Sequence, residues 1–336
     1  MRLIRSLLLC LLFFSCGSKK NSPDVSDVKI NINTIRFEKV FFNIDTTNTL
    51  IELGKTKNEF SNFNAFFLSK LLNLDPRLPD SIASNIINQY ITAYKPIYDT
   101  SQIIFNDFRK YENEIKSGLQ YLKYYYPNYK APNQIITYIG PLDGYGDIIT
   151  SNAFVIGLHQ HLGKNASYYN TSIVSETYPP YVSARFEPSY ISVNCMKNVV
   201  LDLYPEGSEE KSLVVQMIEK GKRLYMLEML LPEKPEYQLI GYTQKQMEDC
   251  NDHEASIWNL FIQNNLLQST DYNLIRNYIG DSPKTQELGD ASPGNIGSYV
   301  GWQIVRKYMS KNSEVKLNEL MTKDADEILS EAKYKP

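Results

Sequence analysis

The chain has 336 residues and a formal net charge of −3 at pH 7. Hydrophobic residues make up 43% of it, so it can fold around a core as one large domain or two small ones. Removing residues 1–15 takes away two arginines and no acidic residue, which moves the formal charge from −3 to −5. This negative charge argues against a nucleic acid as partner, because such a partner requires a basic face.

The N-terminus has the pattern of an export signal. Arg2 and Arg5 precede an apolar run, residues 6–14, that is shorter than the roughly 20 residues of a membrane-spanning helix. Ser15 then stands directly before Cys16, which resembles the lipobox read by the lipoprotein signal peptidase. An ordinary secretory signal ends in a small-x-small site instead. We therefore predict a signal peptide over residues 1–15 and a lipid anchor on Cys16; the alternative is an incidental cysteine in an ordinary signal.

The segment after the cysteine is polar, and we predict a lipidated flexible tether over residues 16–27. Surface-exported lipoproteins of the Bacteroidetes resemble one another in carrying acidic residues just after the cysteine, whereas this chain has Lys19 and Lys20 there. This difference favours a domain that faces the periplasm. Residues 28–336 show no linker and no repeat, which predicts one globular domain.

Strand patterns occur in two places. Apolar and polar residues alternate over residues 28–35, as in a half-buried strand. Residues 35–42 then predict a second strand or a packed turn. Residues 134–140 and 148–158 are apolar and are separated by a turn, which predicts two strands paired as a hairpin.

Helical spacing dominates residues 48–126, where we expect breaks near Pro76, Pro79 and Pro96 and a long helix over residues 111–126. Three further helices are predicted in the C-terminal half.

The first of these helices spans residues 212–231. The second begins at Thr243 with a capping-box spacing, and the third begins at Ser292. Gly297 and Gly301 lie four residues apart on the third helix, so we expect close helix packing there. The predicted fold class is α+β and helix-rich, with small N-terminal and central strands and a helical C-terminal half.

Several short segments, taken in their order along the chain, resemble the gliding-motility lipoprotein GldB family of the Bacteroidetes. Besides the lipobox and Phe41-Phe42, they are IRFE (35–38), IGLHQHLG (156–163), GKRLY (221–225), IGYT (240–243), His253-Glu254 to Trp258, SPGNIG (292–297) and GWQIV (301–305). The resemblance spans nearly the whole chain. It implies a component of the gliding machinery, with other motility and envelope proteins as partners. It supplies no catalytic residue.

Two of the three histidines are candidate metal ligands. On one strand, His159 and His161 would share a face and could chelate a metal together with a carboxylate. The following Leu162-Gly163 indicates instead a surface turn with two polar side chains. No zinc-protease, nucleophile-elbow or Walker motif is present, and we predict no cofactor.

Glu254 interrupts an otherwise apolar helical stripe. A buried carboxylate needs a partner, and we predict a buried ion pair with Lys222; the alternative is a solvated Glu254 on a half-buried face. The order of strands, helix and glutamate-bearing helix resembles gluzincin metallopeptidases. That resemblance would place Ile218 and Lys222 at the zinc-ligand positions and Glu219 at the general-base position, which implies a degenerate, zinc-free relative.

Three functions remain open from the sequence. The first is a lipoprotein of the gliding or an associated secretion system that acts through protein contacts without catalysis. The second is a metallopeptidase-like hydrolase. The third is a solute- or glycan-binding lipoprotein with an aromatic-lined pocket, for which the tyrosines of residues 168–190 are candidates. Cys195 and Cys250 could form a disulfide in the periplasm or remain buried thiols.

Overall fold

The computed structural model describes residues 22–55 and 57–336. The predicted signal peptide and Cys16 lie outside these residues. Within the predicted tether, Val25 is buried, and the side-chain amide of Gln120 donates hydrogen bonds to the carbonyls of Val25 and Val28 at 3.4 and 2.9 Å. The N-terminal segment is therefore held on the domain at these two residues.

Helices form most of the described structure, and one small sheet lies among them. The strands are β1 (Asn33–Arg36), β2 (Gln134–Tyr138), β3 (Ile148–Ile149) and β4 (Ala153–Gly157). The helices before β2 are α1 (Phe37–Phe41), α2 (Thr49–Lys55), α3 (Lys57–Phe66), a π-helical turn (Phe67–Leu71), α4 (Asp80–Ile104) and α5 (Arg109–Tyr125). After β4 come α6 (Ser172–Thr177), α7 (Pro180–Ser183) and α8 (Ile191–Leu203).

The C-terminal half is helical, as predicted. Its helices are α9 (Leu213–Leu230), α10 (Glu236–Ile240), α11 (Gln244–Asp252), α12 (Glu254–Gln263), α13 (Tyr272–Ile279), α14 (Ile296–Lys311), α15 (Leu317–Thr322) and α16 (Ala325–Ala332). Short 3₁₀ turns occur at Leu158–Gln160, Ser167–Asn170, Pro188–Tyr190 and Gln286–Leu288. The α+β, helix-rich class is confirmed.

The sheet has the order β1-β2-β4-β3, and the predicted hairpin is wrong. Strands β2 and β4 are parallel, with Ile136 opposite Val155, and β3 is an antiparallel strand at the edge. After β2 the chain first forms the edge strand β3. It then turns at Thr150, and β4 runs back between β2 and β3. All five residues of β4 are buried, which is typical of an inner strand covered on both faces.

The first predicted strand is also shorter than expected. It begins at Asn33, and the chain turns directly into α1, where Phe37 and Phe41 are both 1% exposed. Their spacing of four residues suits one helix face, and Phe37 meets Phe60, Phe63 and Phe67 in edge-on ring contacts. This aromatic cluster favours a helix where the sequence pattern had allowed a strand.

Pro96 lies inside α4, so the expected break does not occur there. Ile87 and Ile91 before the proline and Ile97 and Tyr98 after it are all buried in the core. Their burial stabilises a continuous helix against the roughly 3 kcal/mol that an internal proline costs.

Two of the three predicted C-terminal helices start as expected. Helix α9 matches the predicted span to within one residue at each end, and Thr243 forms the predicted capping box with Gln246. The second helix is divided at His253 into α11 and α12. The third begins at Ile296 and not at Ser292, because the Ser292 hydroxyl bonds to the backbone of Thr285 and ties that segment into a turn.

Helices α9 and α14 form the centre of the helical half. A Cβ atom added to Gly301 would overlap the backbone of Met217, and one added to Gly221 would overlap the backbone of Gly301. The two helices therefore touch backbone to backbone, and the predicted close packing at Gly297 and Gly301 is confirmed.

Cys195 and Cys250 are both free and buried. In the described ranges, no helix combines the length and the apolar character that crossing a bilayer requires.

Candidate functional site

A buried polar cluster surrounds Asp147 at the end of the sheet. One carboxylate oxygen accepts hydrogen bonds from His161 Nε2 and from the Asn194 amide, each at 2.8 Å, and the other accepts from the backbone N–H of Gly157 at 3.2 Å. The Asp147 carbonyl accepts from the Asn198 amide. The cluster ties β4 and the turn that follows it to helix α8.

His161 is 1% exposed and uses both ring nitrogens in this cluster. Its Nδ1 lies 3.1 Å from the carbonyl oxygen of Glu187, while Nε2 faces Asp147. Burial alone lowers the pKa of His161, but the Asp147 carboxylate raises the pKa above its usual value overall. Both partners are acceptors, so the ring satisfies both only as an imidazolium.

His159 behaves in the opposite way, although it lies only two residues away. It is fully buried, and its Nδ1 accepts a hydrogen bond from the backbone N–H of Gly140 at 3.0 Å. Burial lowers the pKa of His159 to about 3, so the ring is neutral at pH 7. Its Nε2 is buried without a hydrogen-bond partner in the structure.

The prediction of a surface turn for these histidines is wrong. After β4 the chain forms the buried 3₁₀ turn Leu158–Gln160, and Tyr169 covers it. The Tyr169 hydroxyl donates to the His159 carbonyl and accepts from the Leu162 N–H, so the backbone at the turn needs no water. Across residues 22–55 and 57–336, no group of three or more His, Cys, Asp and Glu side chains is placed to hold a metal ion.

The structure gives Lys222 and Glu254 separate partners, which corrects the predicted pair. Lys222 is 2% exposed; its ammonium donates to Glu219 at 2.6 Å and to the carbonyl of Lys323. Glu254 accepts a hydrogen bond from the Tyr334 hydroxyl at 2.5 Å. The ammonium is thus compensated by its own helix and by the carbonyl end of α15, where a cation is favoured.

Substitutions at Lys222 and Glu254 should therefore act independently. We expect Lys222→Met to destabilise the fold by about 1–3 kcal/mol, because the Lys323 carbonyl and the Glu219 carboxylate both lose their buried donor. Glu254→Gln keeps an acceptor for Tyr334 and should cost less. Urea unfolding of both single variants and the double variant should give a coupling energy below about 0.5 kcal/mol. A coupling energy well above that limit would restore the predicted pair.

A second buried network joins α9 to α14, and sequence reasoning missed it. Glu228 is 4% exposed and accepts hydrogen bonds from Trp302 Nε1 at 2.8 Å and Arg306 Nε at 2.9 Å. The Arg306 guanidinium also stacks 3.9 Å above the Trp302 ring and pairs with Glu236. Trp302 and Arg306 lie one turn apart on α14, which is the signal that could have revealed a shared partner.

A cleft of about 450 Å³ lies beside α9. Helices α8, α9 and α10 and the segment from α7 to the Pro188–Tyr190 turn form its walls. Tyr178, Phe186 and Tyr190 line it together with Leu224 and Leu227. The aromatic-lined pocket expected from residues 168–190 is therefore present, although Tyr169 takes part in the fold instead and covers the buried histidine turn.

The walls of this cleft also carry charge. Four cationic side chains and two carboxylates line it: Arg185, Lys197, Lys220, Arg223, Glu206 and Asp281. The cleft is thus locally positive, whereas the whole chain is negative. Lys197 was not singled out from the sequence, although it is the only basic residue of α8.

A family model described as gliding motility protein GldB matches residues 18–336. Neither the curated proteins nor the solved structures contain a significant match. The family match covers the complete domain described above, including the cleft and both buried networks. The chain therefore belongs to the GldB family of gliding motility proteins.

Proposed function

We propose that this protein is a lipid-anchored component of the gliding machinery, held at a membrane through Cys16 with its domain facing the periplasm. It acts without catalysis, through contacts with other motility and envelope proteins. The observation that carries the proposal is the family match over residues 18–336, which begins two residues after Cys16.

The environment of Glu219 supports a role without catalysis. In the gluzincin resemblance this residue would be the general base, but here its carboxylate accepts a hydrogen bond from buried Lys222 and lies 3.7 Å from the Arg223 guanidinium. The carboxylate is therefore a partner in two ion pairs within its own helix, an arrangement that is typical of a structural residue. Metal analysis of the purified protein tests this point: stoichiometric zinc would favour the hydrolase.

Lipidation at Cys16 is tested by substitution. We expect Cys16→Ala to abolish incorporation of radiolabelled palmitate and to release the domain from the membrane fraction, because the anchor chemistry requires the thiol. Cells that carry only this variant should lose gliding. Cys250→Ala is the matched control, because Cys250 is a buried free thiol and should leave labelling unchanged. Palmitate on the Cys16→Ala protein would contradict the proposal.

The cleft supports a second candidate function, which is binding of a small solute. Its size lies within the roughly 300–1,000 Å³ of small-molecule sites, and its lining combines apolar rings with a few charged groups, as such sites do. Such binding is compatible with a role in the gliding machinery.

A further inference from the structure

We propose that the cleft binds an amphipathic anion, with one carboxylate-type head group that meets the Lys197 ammonium and an apolar body that packs on the aromatic wall. The proposal rests on the second candidate function, because it names the ligand class of the same cleft.

Three of the four cations in the cleft already have partners in the protein. Arg185 pairs with Asp281 at 3.2 Å, and Lys220 pairs with Glu206 at 3.1 Å. The Arg223 guanidinium donates to backbone carbonyls, including those of Tyr204 and Pro205. Their charges are largely compensated before any ligand arrives.

Lys197 differs from these three cations. In the part of the chain that the structure describes, its ammonium makes no hydrogen bond and no ion pair. Burial, and then the charge of Arg185, lower the pKa of Lys197 to about 8, while Asp281 acts in the opposite direction. The group is thus still mainly cationic at pH 7. A partly buried cation without a partner is destabilising on its own, and an anion in the cleft would supply the missing partner.

The apolar wall of the cleft indicates that the ligand also has an apolar body. Tyr190, Leu224 and Leu227 line the cleft near the basic groups, so a bare inorganic anion would leave this surface exposed to water. A ligand with an aromatic or aliphatic body satisfies both parts of the site. The volume of about 450 Å³ accommodates a small molecule of this kind.

The experiment compares two probes of the same shape, 1-naphthoate and its uncharged amide, 1-naphthamide. Isothermal titration calorimetry of the lipidated chain in nanodiscs at pH 7 should show tighter binding of the carboxylate by about tenfold or more, as expected for a charge-assisted contact. Lys197→Met should reduce this preference to less than about twofold, and Lys197→Arg should retain most of it. Lys116→Met, on the exposed face of α5, is the matched control and should change nothing.

The outcomes separate the two levels of the proposal. Equal binding of both probes, lost in a cleft-filling Leu224→Trp variant, would overturn the anion preference and leave the solute-binding function standing. Absence of saturable binding by either probe, or binding that Leu224→Trp does not affect, would overturn both. A carboxylate preference that persists in Lys197→Met would remove Lys197 from its assigned role and overturn the proposal.

Discussion

Gly301→Leu is expected to destabilise the fold by roughly 3 kcal/mol or more, at or beyond the upper end of the usual cost of overpacking. The side chain would enter the contact between α9 and α14, where a single Cβ atom already overlaps the carbonyl of Met217. The opposing position is Gly221, so neither helix has a side chain that could move aside. Only a displacement of the helix backbones can accommodate the leucine.

Chemical denaturation followed by circular dichroism measures this effect. The matched control is Gly54→Ala in α2, where a Cβ atom meets nothing within 4 Å. That change should be neutral or stabilising by up to about 1 kcal/mol, because alanine favours the helix. If Gly301→Leu unfolds within about 1 kcal/mol of the parent, the two helices are not in backbone contact in solution.

The glycine contact was predictable because its signal is local. Gly297 and Gly301 share one face of a helix whatever the rest of the fold does, and bare patches on a helix imply a close neighbour. The same holds for the Thr243 capping box and for the ends of α9, which depend on residues within a few positions of one another. Such features follow from the sequence alone.

Contacts between residues that are far apart in the sequence were not predictable in this way. Nothing near residue 222 indicates that the Lys222 ammonium would bond to the carbonyl of Lys323, 101 residues further along the chain. The order of the strands likewise depends on where the loop between β2 and β3 crosses the sheet. A hairpin and a parallel pair have the same apolar residues, so the pattern cannot distinguish them.

The candidate site contains some features that the sequence predicted and others that it did not. The aromatic wall followed from the density of tyrosines between residues 168 and 190, of which Tyr178 and Tyr190 reach the cleft. The burial of His159 and His161 was missed, because the short turn after β4 looks like an exposed loop in the sequence. Lys197 lies between Asn194 and Asn198 on the partly exposed side of α8, so the sequence pattern alone did not distinguish it from an ordinary surface lysine.

Asp147→Ala is the second substitution with a large expected effect, roughly 3–5 kcal/mol of lost stability at pH 6. It removes the acceptor shared by His161 and Asn194 and leaves the imidazolium buried without its counter-ion. The matched control is Asp143→Ala in the same loop, where the side chain is exposed and the change should stay within about 0.5 kcal/mol.

The effect of Asp147→Ala should depend on pH in a defined direction. The pKa of His161 in the folded protein is raised above its ordinary value of 6.5, so the stability it contributes is fully present below pH 6.5. That contribution is lost as the pH rises through the folded-state pKa, because the ring then becomes neutral in both states. His159, with a pKa of about 3 in the folded state, is neutral there throughout this range. Urea titrations at pH 6 and pH 9 should therefore show a larger loss at pH 6, and an equal loss at both would mean that His161 is not an imidazolium paired with Asp147.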